Sequence, residues 1–136
     1  MDARLEARQG VDRLGIAAAI TQHIGVDRHT IARLYRQAAL VLMPSEAEGF
    51  GLPIIEALAC GSIIVASDLA VLREVGGRAA VYCPVADVAS WSQTVCRLLA
   101  DPAQAPQRSD RIAQAHRFSW AAHVETIVNA YLRLAR

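Results

Sequence analysis

Two carboxylates, Glu48 and Glu56, flank a glycine pair, Gly49 and Gly51, with seven residues between them, and this pattern is where the chain could do chemistry. Gly49 and Gly51 carry no Cβ and permit positive φ, so a ligand can lie against the backbone while successive N–H groups point at it. A helix starting near Leu52 would add orphan donors and a partial positive charge, a combination suited to phosphate. Glu56, about one turn into that helix, can accept two hydroxyl hydrogen bonds from a ribose or hexose. Glu48 sits at the mouth of the junction. One acid would hold the sugar of a nucleotide while the other faces the reacting end. The same residues also suit a plain chain reversal, because Gly and Pro turn the chain at many strand-to-helix junctions.

The elements that must position these residues follow from periodicity. Ala39-Leu40-Val41-Leu42-Met43, closed by Pro44, is an apolar run that suits a strand buried on both faces. Pro53 fits the first turn of the next helix, where its missing N–H costs nothing. The pattern predicts helices near 2–14, 28–37, 53–60, 69–74, 87–100, 106–116 and 119–134, with strands near 19–23, 39–43, 62–66 and 79–83. Alternation of strand and helix implies a parallel α/β sheet. Asp87 and Ser119 suit N-caps. Two stripes at helical spacing, Val88, Trp91, Val95, Leu98 and Leu99, and Trp120, Val124, Ile127, Val128, Tyr131 and Leu134, read as core. Ligands bind such sheets outside the carboxyl ends of the strands, so the loops at 44–52 and 67–69 should share one edge. Asp68 there could line the cleft, but it reads more readily as a cap for the next helix. Arg73 and Glu74 fit either a surface pair or packing beneath the cleft.

The string Glu48-Gly49-Phe50-Gly51-Leu52-Pro53-Ile54-Ile55-Glu56-Ala57-Leu58-Ala59-Cys60-Gly61 resembles the donor-site signature of the retaining glycosyltransferase family 4, the glycosyl transferases group 1. Leu34 to Ala39 before it, and Leu72 to Gly76, Leu98 to Pro102 and Phe118-Ser119-Trp120 after it, are similar to the family's flanking landmarks. The resemblance implies an incomplete Rossmann-like parallel sheet of four strands with flanking helices, the C-terminal half of a GT-B enzyme. It implies a retaining hexosyltransferase whose donor is a nucleotide-diphosphate sugar and which requires no metal. Glu48 would stand near the anomeric carbon as the catalytic acid of the pair and Glu56 would hold ribose hydroxyls. The backbone at Gly49, Phe50, Gly51 and Leu52 would contact donor hydroxyls and diphosphate. Family members also aim an Arg and a Lys at the diphosphate, yet this chain has no Lys. That pair, the N-terminal acceptor domain and the first two strands of this domain are expected to lie upstream. Residues 1–136 would then be one partial nucleotide-sugar domain, inactive alone, with segment 19–23 displaced, paired beside 39–43 or completed by another chain.

Composition narrows the alternatives. Hydrophobic residues make up 54% and charged residues 20% of 136 residues, enough for one core but not two nucleotide-binding domains. A net charge of +1 with no basic run argues against nucleic acid and gives no sign of a membrane surface. The first residues are charged and lack an apolar signal segment, which suggests a cytoplasmic chain. Cys60, Cys83 and Cys96 have no metal-ligand spacing and read as small hydrophobes in a reducing compartment. The histidines His23, His29, His116 and His123 are unpaired in sequence. Two other readings stay open: a non-catalytic interaction module that self-associates or needs a separate N-terminal chain, and a nucleotide-sugar epimerase fragment. The acceptor, whether a sugar, a lipid-linked sugar or another molecule, is not encoded in these residues.

Overall fold

The computed structural model describes residues 3–134, so Asp2, where the first predicted helix was expected to begin, lies outside the described residues. In chain order the elements are α1 (Ala3–Leu14), a 3-10 turn (Ala17–Ala19), α2 (Arg28–Gln37), β1 (Val41–Met43), α3 (Leu52–Ala59), β2 (Ile64–Ser67) and α4 (Ala70–Gly76). They continue with β3 (Val81–Cys83), α5 (Val88–Ala100), a second 3-10 turn (Pro102–Gln104), α6 (Arg108–His116) and α7 (Trp120–Leu134). The sheet is parallel with order β1-β2-β3, pairing Leu42 with Val65 and Ala66 with Tyr82 at its centre.

Central strand β2 shows why a continuous apolar run forms here. Successive side chains point to opposite faces, so Ile64 and Ala66 enter one core while Val65 enters the other, and all are fully buried. The first core joins β2 to α3, α4 and α6 through Ile54, Leu58, Leu72, Val75 and Ala115. The second joins it to α5 through Leu98, with Cys83 and the half-buried Trp91. Asp87 caps α5 by accepting from the Ser90 N–H at 3.0 Å, and Ser119 caps α7 by accepting from the Ala122 N–H at 3.1 Å, as their residue types predict. Asp27 does the same for α2, with the Thr30 N–H at 2.8 Å.

Two expectations are corrected. The described residues form three strands, not four: segment 19–23 is a 3-10 end followed by irregular chain, and it does not pair beside β1. Three of its five residues, Thr21-Gln22-His23, are polar, and docking it into an apolar core would desolvate those side chains without partners. Left out of the sheet, the whole segment is exposed, as is Ile24 after it. The α7 stripe is not core either. Trp120 is 75% exposed, and Val124, Ile127, Val128, Tyr131 and Leu134 are exposed with it, because no element among the described residues covers that face. The α5 stripe divides, with Leu98 fully buried, Trp91 and Val95 half-buried, and Val88 and Leu99 exposed. No helix among the described residues is long and apolar enough to cross a membrane.

Candidate functional site

Because β1 and β2 are parallel, the segments that follow Met43 and Ser67 leave the sheet at the same edge, where α/β folds take their ligands. The loop after β1 ends at Gly51, whose φ of 86° and ψ of 40° lie in the left-handed region, and α3 starts at the next residue. A Cβ on Gly51 would stand 2.6 Å from the Leu72 Cδ2, so close packing against α4 as well as backbone conformation demands glycine. Gly49 differs from expectation. It is not among the positive-φ glycines, and a Cβ there would meet nothing within 4 Å, so no neighbour in the fold requires glycine at that position.

Among the described residues, the N–H groups of Gly49, Phe50, Gly51 and Leu52 have no hydrogen-bond acceptor within the chain; the first turn closes only where the Ile54 N–H donates to the Gly51 carbonyl at 3.0 Å. Four consecutive unpaired donors at a helix N-terminus are free for a ligand or water. Each flanking carboxylate is oriented by a neighbour. Glu48, half-buried, accepts from the Ser45 hydroxyl at 2.8 Å, and the exposed Glu56 accepts from the Tyr35 hydroxyl of α2 at 3.3 Å. Burial, then the Glu56 charge, pushes the Tyr35 hydroxyl up to about 12, which keeps it protonated as a donor. Both acids reach solvent.

In the loop after β2, Asp68 is not the cap expected of it. The cap position of α4 belongs to Leu69, and Asp68 instead forms a two-point ion pair with Arg73, donated by the guanidinium Nε and by Nη2, the latter at 2.7 Å. That pair holds Asp68 below the usual carboxylate range. Arg73 also lies over the Tyr82 ring, 4.6 Å from its centroid, so it belongs to an exposed surface pair braced on β3.

An apolar cleft of about 500 Å³ adjoins the motif loop. Phe50, Leu52 and Ile55 form one wall, and Phe118, Trp120 and His123 the other. Phe50 and Phe118 meet edge to face with centroids 6.3 Å apart. Neither Glu48 nor Glu56 lines this cleft. The sequence reading missed the contribution of Arg117 to Thr126 to this wall, although Phe118-Ser119-Trp120 stood out as a landmark.

Comparison with known proteins bears on what this edge belongs to. The family profile described as Glycosyl transferases group 1 matches residues 2–101. D-inositol 3-phosphate glycosyltransferase of Gordonia bronchialis is 36% identical over 124 residues, covering 88% of this chain and 27% of the relative. O-antigen chain mannosyltransferase B of Escherichia coli is 38% identical over 99 residues, 72% of this chain and 26% of the relative. The structure of sucrose-phosphate synthase from Thermosynechococcus elongatus superposes with a TM-score of 0.85 at 27% identity, over 96% of this chain and 34% of that one. The chain therefore spans about 30% of the length of its curated relatives. With the family profile covering most of its residues, the chain belongs to the glycosyl transferases group 1.

Proposed function

We propose that this chain is the donor-binding part of a retaining hexosyltransferase, holding a nucleotide-diphosphate sugar at the carboxyl edge of β1 and β2. The observation that carries the reading is the run of four unpaired N–H groups from Gly49 to Leu52, bracketed by two solvent-reachable carboxylates. Charge builds on the diphosphate as the bond to the sugar breaks, so donors already fixed by the Gly51 turn stabilise the transition state more than the bound donor. Glu56, steered by Tyr35, accepts from ribose hydroxyls. Glu48, steered by Ser45, faces the sugar near its anomeric carbon. No metal is required in this reading, since the amides and cationic groups contributed from elsewhere in the enzyme take up the leaving-group charge. The relatives differ by name in what they glycosylate, which fits a segment devoted to the donor, with the acceptor side supplied by further polypeptide.

Calorimetric titration of the chain with uridine- and guanosine-diphosphate hexoses tests this. A charged hydrogen bond contributes about 1.5–3 kcal/mol, so Glu56→Ala should weaken the preferred donor roughly tenfold or more. Equal affinity in wild type and variant, or no binding at millimolar donor, overturns the reading. The exposed apolar face of α7 favours a second reading, a non-catalytic interaction module, because contiguous apolar surface of that kind is typical of contact surfaces. That reading predicts concentration-dependent self-association without donor binding.

A further inference from the structure

A second concave surface lies at the opposite end of the strands from the motif loop. Its lining comes from the end of α2 and the residues leading into β1 (Arg36, Ala38, Ala39), from the α3–β2 turn (Cys60 to Ile63), and from α6 (Arg108, Arg111). The volume is about 320 Å³. Three arginines converge there and no Asp or Glu lines it. Asp110, on the first turn of α6, is outside the lining, and among the described residues the one ion pair is Asp68 with Arg73, so none of the three arginines is paired with a carboxylate. Burying the Arg111 charge beside the like charge of Arg108 opposes folding unless something compensates it.

The site is built rather than incidental. Arg111 is 8% exposed, and its guanidinium is fixed by donating from Nε to the Gly61 carbonyl at 3.1 Å and from Nη1 to the Pro106 carbonyl. Its Nη2 makes no hydrogen bond within the protein, and no buried side-chain nitrogen or oxygen among the described residues lacks a partner, so Nη2 is open to solvent on a residue that lines the hollow. Burial, and then the nearby Arg108 charge, pulls the Arg111 guanidinium below its usual range. Gly61 is what allows Arg108 in: its φ is +75°, and a Cβ would stand 2.7 Å from the Arg108 Nε. The N-cap of α6, Gln107, gives no side-chain cap, which leaves first-turn N–H groups beside the same two arginines.

We propose that this hollow binds a phosphomonoester dianion, such as the phosphate of a small sugar phosphate, at a site separate from the donor edge. Arg111 supplies a fixed, half-used fork, and Arg36 and Arg108 close on the remaining oxygens from either side. Guanidinium pairs match phosphate geometry, and a hollow of this size admits the phosphate with a small organic portion. The proposal does not depend on the donor reading, since neither Glu48, Glu56 nor any residue from Gly49 to Leu52 lines the hollow.

The test is titration of the full chain with inorganic phosphate and with glucose 6-phosphate at constant ionic strength, followed by calorimetry. Arg36→Gln combined with Arg108→Gln removes two exposed arms while leaving the buried Arg111 contacts in place. A charge-matched control, Arg78→Gln with Arg133→Gln, removes two exposed arginines elsewhere. The expected result is saturable binding of both probes that is at least about tenfold weaker in the first variant and unchanged in the control. Tighter binding of glucose 6-phosphate than of inorganic phosphate assigns the hollow to the ester, and equal affinity assigns it to the phosphate group alone. Absence of saturable binding, binding that survives Arg36→Gln/Arg108→Gln, or equal weakening in the control overturns the proposal.

Discussion

Replacing Gly51 and Gly49 separately by alanine distinguishes what the fold needs from what a ligand needs. At Gly51 the new Cβ meets the Leu72 Cδ2 at 2.6 Å, and Leu72 is fully buried in the core shared by α3 and α4, so it has little room to yield. The left-handed conformation costs a non-glycine residue about 1–2 kcal/mol and overpacking about 1–3 kcal/mol more, partly offset by the stiffer unfolded chain. A net loss of about 2–4 kcal/mol follows, equivalent to a melting temperature lower by roughly 6–15 °C for a chain of this size. Gly49→Ala meets nothing within 4 Å and has no positive φ to satisfy, so its stability should stay within about 0.5 kcal/mol of wild type. Its donor affinity should still fall roughly tenfold, since a methyl group would stand where the sugar diphosphate approaches the loop. Urea unfolding paired with donor calorimetry reads both quantities. A Gly51→Ala chain as stable as wild type would show that the fold does not need glycine there, and a Gly49→Ala chain that binds donor equally well would show that no ligand lies against that position.

Other expectations follow from the same contacts. Tyr35→Phe removes the hydroxyl that steers Glu56 and should weaken donor binding severalfold while leaving the unfolding midpoint nearly unchanged, as measured by calorimetry beside denaturation. Burial first, helped by Glu56 at Tyr35, raises both Tyr35 and Tyr82 to about 12 from an ordinary value of 10.0. The folded chain thus holds these protons more tightly than the unfolded one, so the stability they contribute is intact below pH 10 and is lost as pH rises towards 12. Urea midpoints across that range should decline, and the decline should flatten in Tyr35→Phe/Tyr82→Phe. Arg111→Met leaves the Gly61 and Pro106 carbonyls without their donor and should destabilise by about 2–3 kcal/mol in urea unfolding.

What could be read from the sequence was whatever local chemistry decides. Asp87 and Ser119 cap helices because their side-chain oxygens reach N–H groups three residues on, and Pro53 with Gly51 marks the start of α3 within a residue. The strands near 39–43 and 79–83 exist but are shorter, because pairing with β2 sets their ends, and the strand near 62–66 is shifted to Ile64–Ser67. What failed depended on partners distant in sequence. Segment 19–23 opens on the apolar Ala19 and Ile20, but a strand exists only where a neighbour pairs with it. The α7 stripe has the period of a buried face and yet is exposed, since periodicity identifies the face that could be covered and not whether anything covers it. Asp68 was claimed by Arg73 five residues later, before it could act as a cap. Tyr35 reaching Glu56, and Arg36, Arg108 and Arg111 meeting around Gly61, carry no motif, because α2, α3 and α6 meet only once the chain is folded.

In the proposed donor site the amides from Gly49 to Leu52 receive the diphosphate. Amide shift mapping of the isotope-labelled chain with a nucleoside diphosphate examines that directly. Saturable shifts concentrated at Gly49, Phe50, Gly51 and Leu52 are expected, with smaller ones around Glu56. Saturation with those four amides unmoved would contradict that site.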